Sequence, residues 1–264
     1  MDYNPLAPEV QDNPYPYYAE LRDKAPVAWI ESMQGWAVSR YADVDFIFRN
    51  PRLFSSALWN TTASGDLVVV PEAPGLLSMD PPDHTRMRKL ANKGFTPRLI
   101  REMEPRVRTI TQDLLKPLSG QVEADLVSAL SVPLPIIVIA EMLGIELARQ
   151  ATQDVELEGG KLPAGATVLL LLGAANRDER KFPEPDRFDV ERNPQDHVGF
   201  GYGIHYCLGA PLARLEGRVA LEALLFDCPP FTRVLAQVPR IAAYLVRGPR
   251  TLPLRFAITR RAVA

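Results

Sequence analysis

Cysteine is scarce in this chain: two residues in 264, Cys207 and Cys228. A helical pattern over 208–225 would hold them roughly 27 Å apart at 1.5 Å per residue, beyond the reach of a disulfide. Long apolar runs are also missing. The longest, Val168 to Ala175, falls far short of the ~20 residues that span a bilayer. Met1-Asp2-Tyr3-Asn4-Pro5 has neither a basic nor an apolar leader region, so no signal peptide is read. Charge imbalance is slight, with a net charge of −2, which gives no electrostatic case for nucleic-acid binding. No internal repeat and no separating linker is seen. Proline is plentiful, with 25 residues, but it is spread as punctuation and not clustered as a disordered tract. Together these features predict a cytoplasmic globular protein without a membrane anchor.

The chemistry concentrates in Phe200-Gly201-Tyr202-Gly203-Ile204-His205-Tyr206-Cys207-Leu208-Gly209. Gly201, Gly203 and Gly209 allow tight turns and close approach to a flat ligand. Apolar residues then recur at Leu208, Leu212, Leu215, Val219, Ala223 and Phe226, in helical steps of three and four. Arg214, Glu216, Arg218 and Glu222 fall between them and are expected to face solvent. Pro211 suits a first helical turn. Cys207 is therefore placed at or just before a helix N-terminus, where amide dipoles favour a thiolate. A lone cysteine is usually an inert buried thiol; six fixed positions in ten residues argue for a metal ligand instead. A zinc site of Cys207, His205 and His197 is set aside, because no second cluster completes four ligands.

This loop resembles the haem-binding loop of the cytochrome P-450 family, the haem-thiolate monooxygenases of soluble bacterial type. The resemblance implies haem b as cofactor and Cys207 as the iron ligand. It implies that His205 reaches a haem propionate and that Phe200, Gly201, Leu208, Gly209 and Ala213 line the cofactor. Asp80-Pro81-Pro82-Asp83-His84-Thr85-Arg86-Met87-Arg88 is a second family pattern. His84 and Arg88 lie four apart, on one helix face, and the resemblance implies that both hold propionates. Arg149, in Arg149-Gln150-Ala151-Thr152, is implied as a further propionate ligand; a surface arginine is the equal alternative.

The implied fold is mainly α with small β-sheets, an incomplete cytochrome P-450 fold in one domain over 1–264. Residues 1–145 match the N-terminal part and 149–264 the C-terminal part. A hairpin is read at Val27–Ile30 and Trp36–Ser39, and helices at Tyr41–Phe48, from Asp80 onward through Leu90, at Pro97–Leu118 and at Leu134–Leu143. A small β unit covers Asp154–Leu172, and a late strand Leu252–Phe256. The loop at 55–78, with Val68, Val69 and Val70, and the segment Tyr244–Val246 are candidate pocket walls.

An internal segment of the family is missing from the sequence, with the junction at Gly144–Arg149. It would carry the oxygen-activating central helix and the Glu-x-x-Arg helix. Ala164-Gly165-Ala166-Thr167 is read as a turn, not as part of that helix. Glu146-x-x-Arg149 and Glu184-x-x-Arg187 are read as accidental, leaving Arg187 buried without its partner. The expected function is a haem-binding monooxygenase-like protein with impaired turnover. The alternatives are an electron-transfer or peroxide-reactive haem module, or a non-functional fragment. Expected partners are a ferredoxin or flavin reductase, steered to Arg86, Lys89, Lys93 and Arg98, and a small hydrophobic substrate.

Overall fold

Two short apolar runs, Val27–Ile30 and Gly35–Val38, form an antiparallel pair, with Val27 opposite Val38 and Ile30 opposite Gly35. Gln34 closes the turn in the left-handed region. The computed structural model describes residues 3–57, 75–118, 120–135, 148–192, 194–241 and 248–257. The readings at 58–74, 136–143, 144–147 and 244–246 lie outside these residues.

The chain divides into two compact units, each assembled from segments far apart in sequence. Residues 1–91 and 145–207 form the first unit. Its hairpin does not stand alone. Gly35–Val38 pairs in parallel with Thr167–Leu170, which pairs with Ala148–Ala151, which pairs with Phe54–Ser55. The result is a five-stranded sheet. Central strands covered on both faces read as continuous apolar runs, so Val168 and Leu170 are buried with Val38, Phe54 and Ala151. The strand stops at Leu170, where a short helix, Leu172–Ala175, begins. Val155–Leu157 and Gly160–Leu162 form a separate hairpin. Gly165, at φ +78, and the Ala166 N–H donating to Pro163 O at 3.1 Å make the expected turn before the strand.

The helix Tyr41–Arg49 is capped from a distance, because buried Asp178 accepts the Tyr41 N–H at 2.9 Å. Asn176 accepts the Val198 N–H at 2.8 Å. The proline-rich segment 176–198 is thus fixed by polar side chains, not by a repeating backbone ladder.

Residues 92–144 and 208–264 form the second unit. Thr96 caps the helix Pro97–Leu115, which buries Ile100, Val107, Ile110 and Leu115. Its last expected turn, Lys116–Leu118, is tighter than an α-helix. The helix Ala210–Glu222 buries Leu212, Leu215 and Val219 in the same core. Pro253–Phe256 is the central strand of a three-stranded sheet.

Three expectations on side chains are corrected. Glu216 does not face solvent: it is 5% exposed, and its Oε1 has no hydrogen-bond partner among the described residues. Phe226 leaves the apolar stripe and is 80% exposed. The α-helix gives way after Glu222 to the wider turn Ala223–Asp227, which changes the helical phase. Arg187 is neither buried nor alone, forming an exposed ion pair with Glu184 at 3.3 Å. Such pairs contribute little to stability.

Glu216 carries a pH prediction. Burial pushes its carboxyl up to about 7 from 4.5. Between these values the folded chain keeps a proton that the unfolded chain has released, so stability falls as pH rises from 4.5 to 7. Glu216→Gln removes the ionisation and should gain roughly 1–3 kcal/mol over the parent at pH 8 relative to pH 5. Thermal melts at both pH values test this. An equal effect of the substitution at pH 5 and pH 8 would refute it.

Candidate functional site

The first unit gathers arginine and histidine side chains that are scattered in sequence. The helix Asp83–Ala91 buries one residue, His84, and half-buries Arg88 one turn later. Arg149 enters from the sheet, opposite Val168, and is 3% exposed. His205 lies in the turn Gly203–His205 and is 5% exposed. The His84 and His205 rings are 4.2 Å apart between centroids. Thus three residues separated by more than fifty positions, His84, Arg149 and His205, share one buried locality.

Each placement has a local cause. Ser56, just past the short strand Phe54–Ser55, holds His205 Nε2 at 3.0 Å. Asp80 accepts from the Ser56 N–H at 2.9 Å and from the Ser55 hydroxyl, which ties the entry to the His84 helix to the sheet edge. Arg88 Nη2 donates to Tyr206 O at 2.6 Å. That bond fixes the helix to the residue preceding Cys207. The Cys207 N–H donates to Phe200 O at 2.9 Å and closes the loop. Gly203 is obligatory: at φ +66, an added Cβ would lie 2.2 Å from Phe48 O. Gly201 is also left-handed, at φ +68. Gly209 is not forced by its backbone, with φ −83 and no atom within 4 Å of an added Cβ.

The electrostatics are those of a site for anions. Burial, then Arg149, His84 and Arg88, push the His205 imidazole down to about 3. His84 is lowered by burial and by Arg88 and Arg149, against the pull of Asp80. Burial lowers Arg88 and brings Arg149 to about 10. Asp80 is the carboxylate that acts on this group, and its two oxygens are engaged by Ser55 and Ser56. His84 Nε2 is buried without a hydrogen-bond partner among the described residues. Buried polar atoms are normally satisfied, so this nitrogen points to an external acceptor. Two guanidinium groups and two imidazoles can bind a doubly anionic ligand through charge-assisted hydrogen bonds.

The structure brings His84, Arg88, Arg149 and His205 together, with Cys207 joined to them through Tyr206. Phe200 and Gly201 belong to the same unit; Leu208, Gly209 and Ala213 belong to the other. Both cysteines are free, and no group of three potential metal-binding His, Cys, Asp or Glu residues occurs among the described residues. No described helix is long and apolar enough to cross a membrane. Sequence reading missed the roles of Ser55, Ser56 and Asp80. Only Asp80 lay in a recognised motif; the serines act through a strand pairing that no local pattern announces.

A family model described as Cytochrome P450 matches residues 139–233. The structure of cytochrome P450 CYP109Q5 from Chondromyces apiculatus superposes with a TM-score of 0.90 at 28% identity, covering 98% of this chain and 99% of that one. The putative cytochrome P450 YjiB of Bacillus subtilis is 27% identical over 354 residues, covering 82% of this chain and 88% of its own. The vitamin D(3) 25-hydroxylase of Pseudonocardia autotrophica is 28% identical over 379 residues, covering 92% and 93%. These alignments are longer than the 264-residue chain itself, so both relatives hold internal positions for which this chain has no residue. Likeness in fold and sequence extends over most of the chain around that difference, and what the chain is similar to throughout is cytochrome P450 proteins, which bind haem.

Proposed function

We propose that this chain binds haem through Cys207 and the two guanidinium and two imidazole side chains, as an oxidoreductase of the monooxygenase type with impaired turnover. The observation that carries this reading is the bond from Arg88 to Tyr206 O. It couples the anion site to the cysteine loop, so one rigid ligand with two carboxylates and a central metal could engage both. His84, Arg88, Arg149 and His205 would hold the propionates, and Cys207 Sγ would be the metal ligand. Haem, when bound, would supply an iron whose reactivity toward oxygen is tuned by a thiolate ligand. The residues of this chain bind and orient it. Ser56 fixes the His205 ring, and the Phe200 carbonyl fixes the Cys207 backbone. Phe200 and Gly201 would flank the ligand sulfur.

Impaired turnover follows from the internal positions that the relatives possess and this chain does not. Elements that exclude water and deliver protons are expected there, and a site open to water loses both services. A haem module that binds ligands or reacts with peroxide is the second reading, favoured by the same difference in length. A ferredoxin or flavin reductase would supply electrons, and Arg86 and Lys89 of the first unit are exposed to receive an acidic partner. A small hydrophobic substrate is inferred by analogy with the relative named as a vitamin D(3) hydroxylase.

Reduced, haem-loaded protein exposed to carbon monoxide tests the ligand. The parent chain should give the spectral band of thiolate ligation, and Cys207→Ser should lose it entirely. Absence of haem uptake by the parent, or an identical spectrum in the variant, would refute the assignment.

A further inference from the structure

The second unit holds a charge arrangement that haem binding does not require. Glu104 and Arg108, on one helix, and Arg218 and Glu222, on another, alternate in a closed square. Glu104 pairs with Arg108 at 2.6 Å and with Arg218 at 2.6 Å. Glu222 pairs with Arg108 at 2.7 Å and with Arg218 at 2.9 Å. Each carboxylate oxygen accepts from a guanidinium, so the square is neutral and its acceptors are satisfied. Beside it lies an open cleft of about 300 Å³, which shares Glu104 and Arg218 with the square. Arg101 and Arg214 also line it, one from each helix, and both are exposed. Ile100 and Leu215, at 6% and 7% exposure, close its floor. Three guanidinium groups thus line the cleft against one carboxylate, a surplus of two positive charges. Arginine keeps its charge at every working pH. An apolar floor with a few convergent polar groups is the form of a small-ligand site. Guanidinium forks match phosphate oxygens in bidentate pairs. A phosphate monoester carries nearly two negative charges at neutral pH, and its three terminal oxygens can meet two forks. A carboxylate offers one charge and two oxygens.

We propose that this cleft binds a small phosphate monoester with an apolar body, the phosphate held by Arg101 and Arg214 and the apolar end resting on Ile100 and Leu215. All of these residues belong to the second unit. The site shares no residue with the group formed by His84, Arg88, Arg149 and His205, so it does not depend on haem. A bound phosphate bridges the helices Pro97–Leu115 and Ala210–Glu222, which the neutral square already joins.

Calorimetric titration of the full, haem-free 264-residue chain with phenyl phosphate at low salt is the test. A saturable one-to-one complex is expected. Phenyl phosphate should bind at least about fivefold more tightly than inorganic phosphate, because only the ester reaches the apolar floor. Arg101→Ala and Arg214→Ala should each weaken it roughly tenfold or more, as for loss of a charge-assisted bond. Both side chains are exposed, so the variants should melt with the parent, and their melting curves verify that they fold. Absence of a complex, unchanged affinity in both variants, or equal affinity for the ester and for inorganic phosphate would overturn the proposal. Binding that survives both substitutions and is lost on adding haem would overturn it too, by moving the anion to His84, Arg88, Arg149 and His205. Each of these failures leaves the haem assignment standing.

Discussion

Gly203→Ala is expected to cost ~3–5 kcal/mol of stability, a large share of what a domain possesses. Two effects add. A left-handed backbone conformation costs a non-glycine residue roughly 1–2 kcal/mol. The new methyl would also sit 2.2 Å from the Phe48 carbonyl oxygen, which is backbone and has no rotamer to escape to. Relief requires the C-terminal end of the helix Tyr41–Arg49 to part from the turn Gly203–His205. That movement would drag His205 from Ser56 and loosen the loop carrying Cys207. Urea denaturation of the haem-free protein reads the effect. Gly209→Ala is the control, since φ −83 and open space there predict a change below about 0.5 kcal/mol. Equal losses in the two variants would show that the Phe48 contact does not dictate the loop.

The contrast between these glycines shows what sequence could and could not supply. Both stand in one glycine-rich motif, and nothing local separates them. The difference lies in Phe48, about 150 residues away along the chain, so only the fold reveals it. The helix pattern after Cys207 was legible because helical contacts are local: Leu212, Leu215 and Val219 fell on the buried face. Glu216 was misread for the complementary reason. A charge between apolar positions looks solvated until another element covers it, and burial then raises its carboxyl. Sheet pairing was the least legible part. The hairpin at 27–38 was visible from two short apolar runs flanking a turn, whereas its parallel partner, Thr167–Leu170, is more than a hundred residues distant. Arg149 occupies this sheet, so its burial could not be separated from surface exposure before the topology was known.

Arg149 yields the second large effect, and it should appear with opposite signs in two measurements. The guanidinium is 3% exposed, and burial has brought it down to about 10. Desolvating a charge is costly, and replacing buried ionic groups by apolar ones of similar volume is often neutral or stabilising by ~1–4 kcal/mol. Arg149→Met should therefore leave the haem-free protein as stable as the parent or more so. The methionine can keep the packing against Phe48, over which the guanidinium carbon sits at 6.0 Å from the ring centre. Haem affinity should move the other way. A charge-assisted bond to a carboxylate is worth about 1.5–3 kcal/mol, so its loss should weaken binding roughly 10- to 100-fold. Equilibrium titration with haem and thermal melting of the haem-free variant give the two numbers separately. A cation kept for the fold alone would lose stability on substitution and leave affinity unchanged. A cation kept for a propionate shows the reverse.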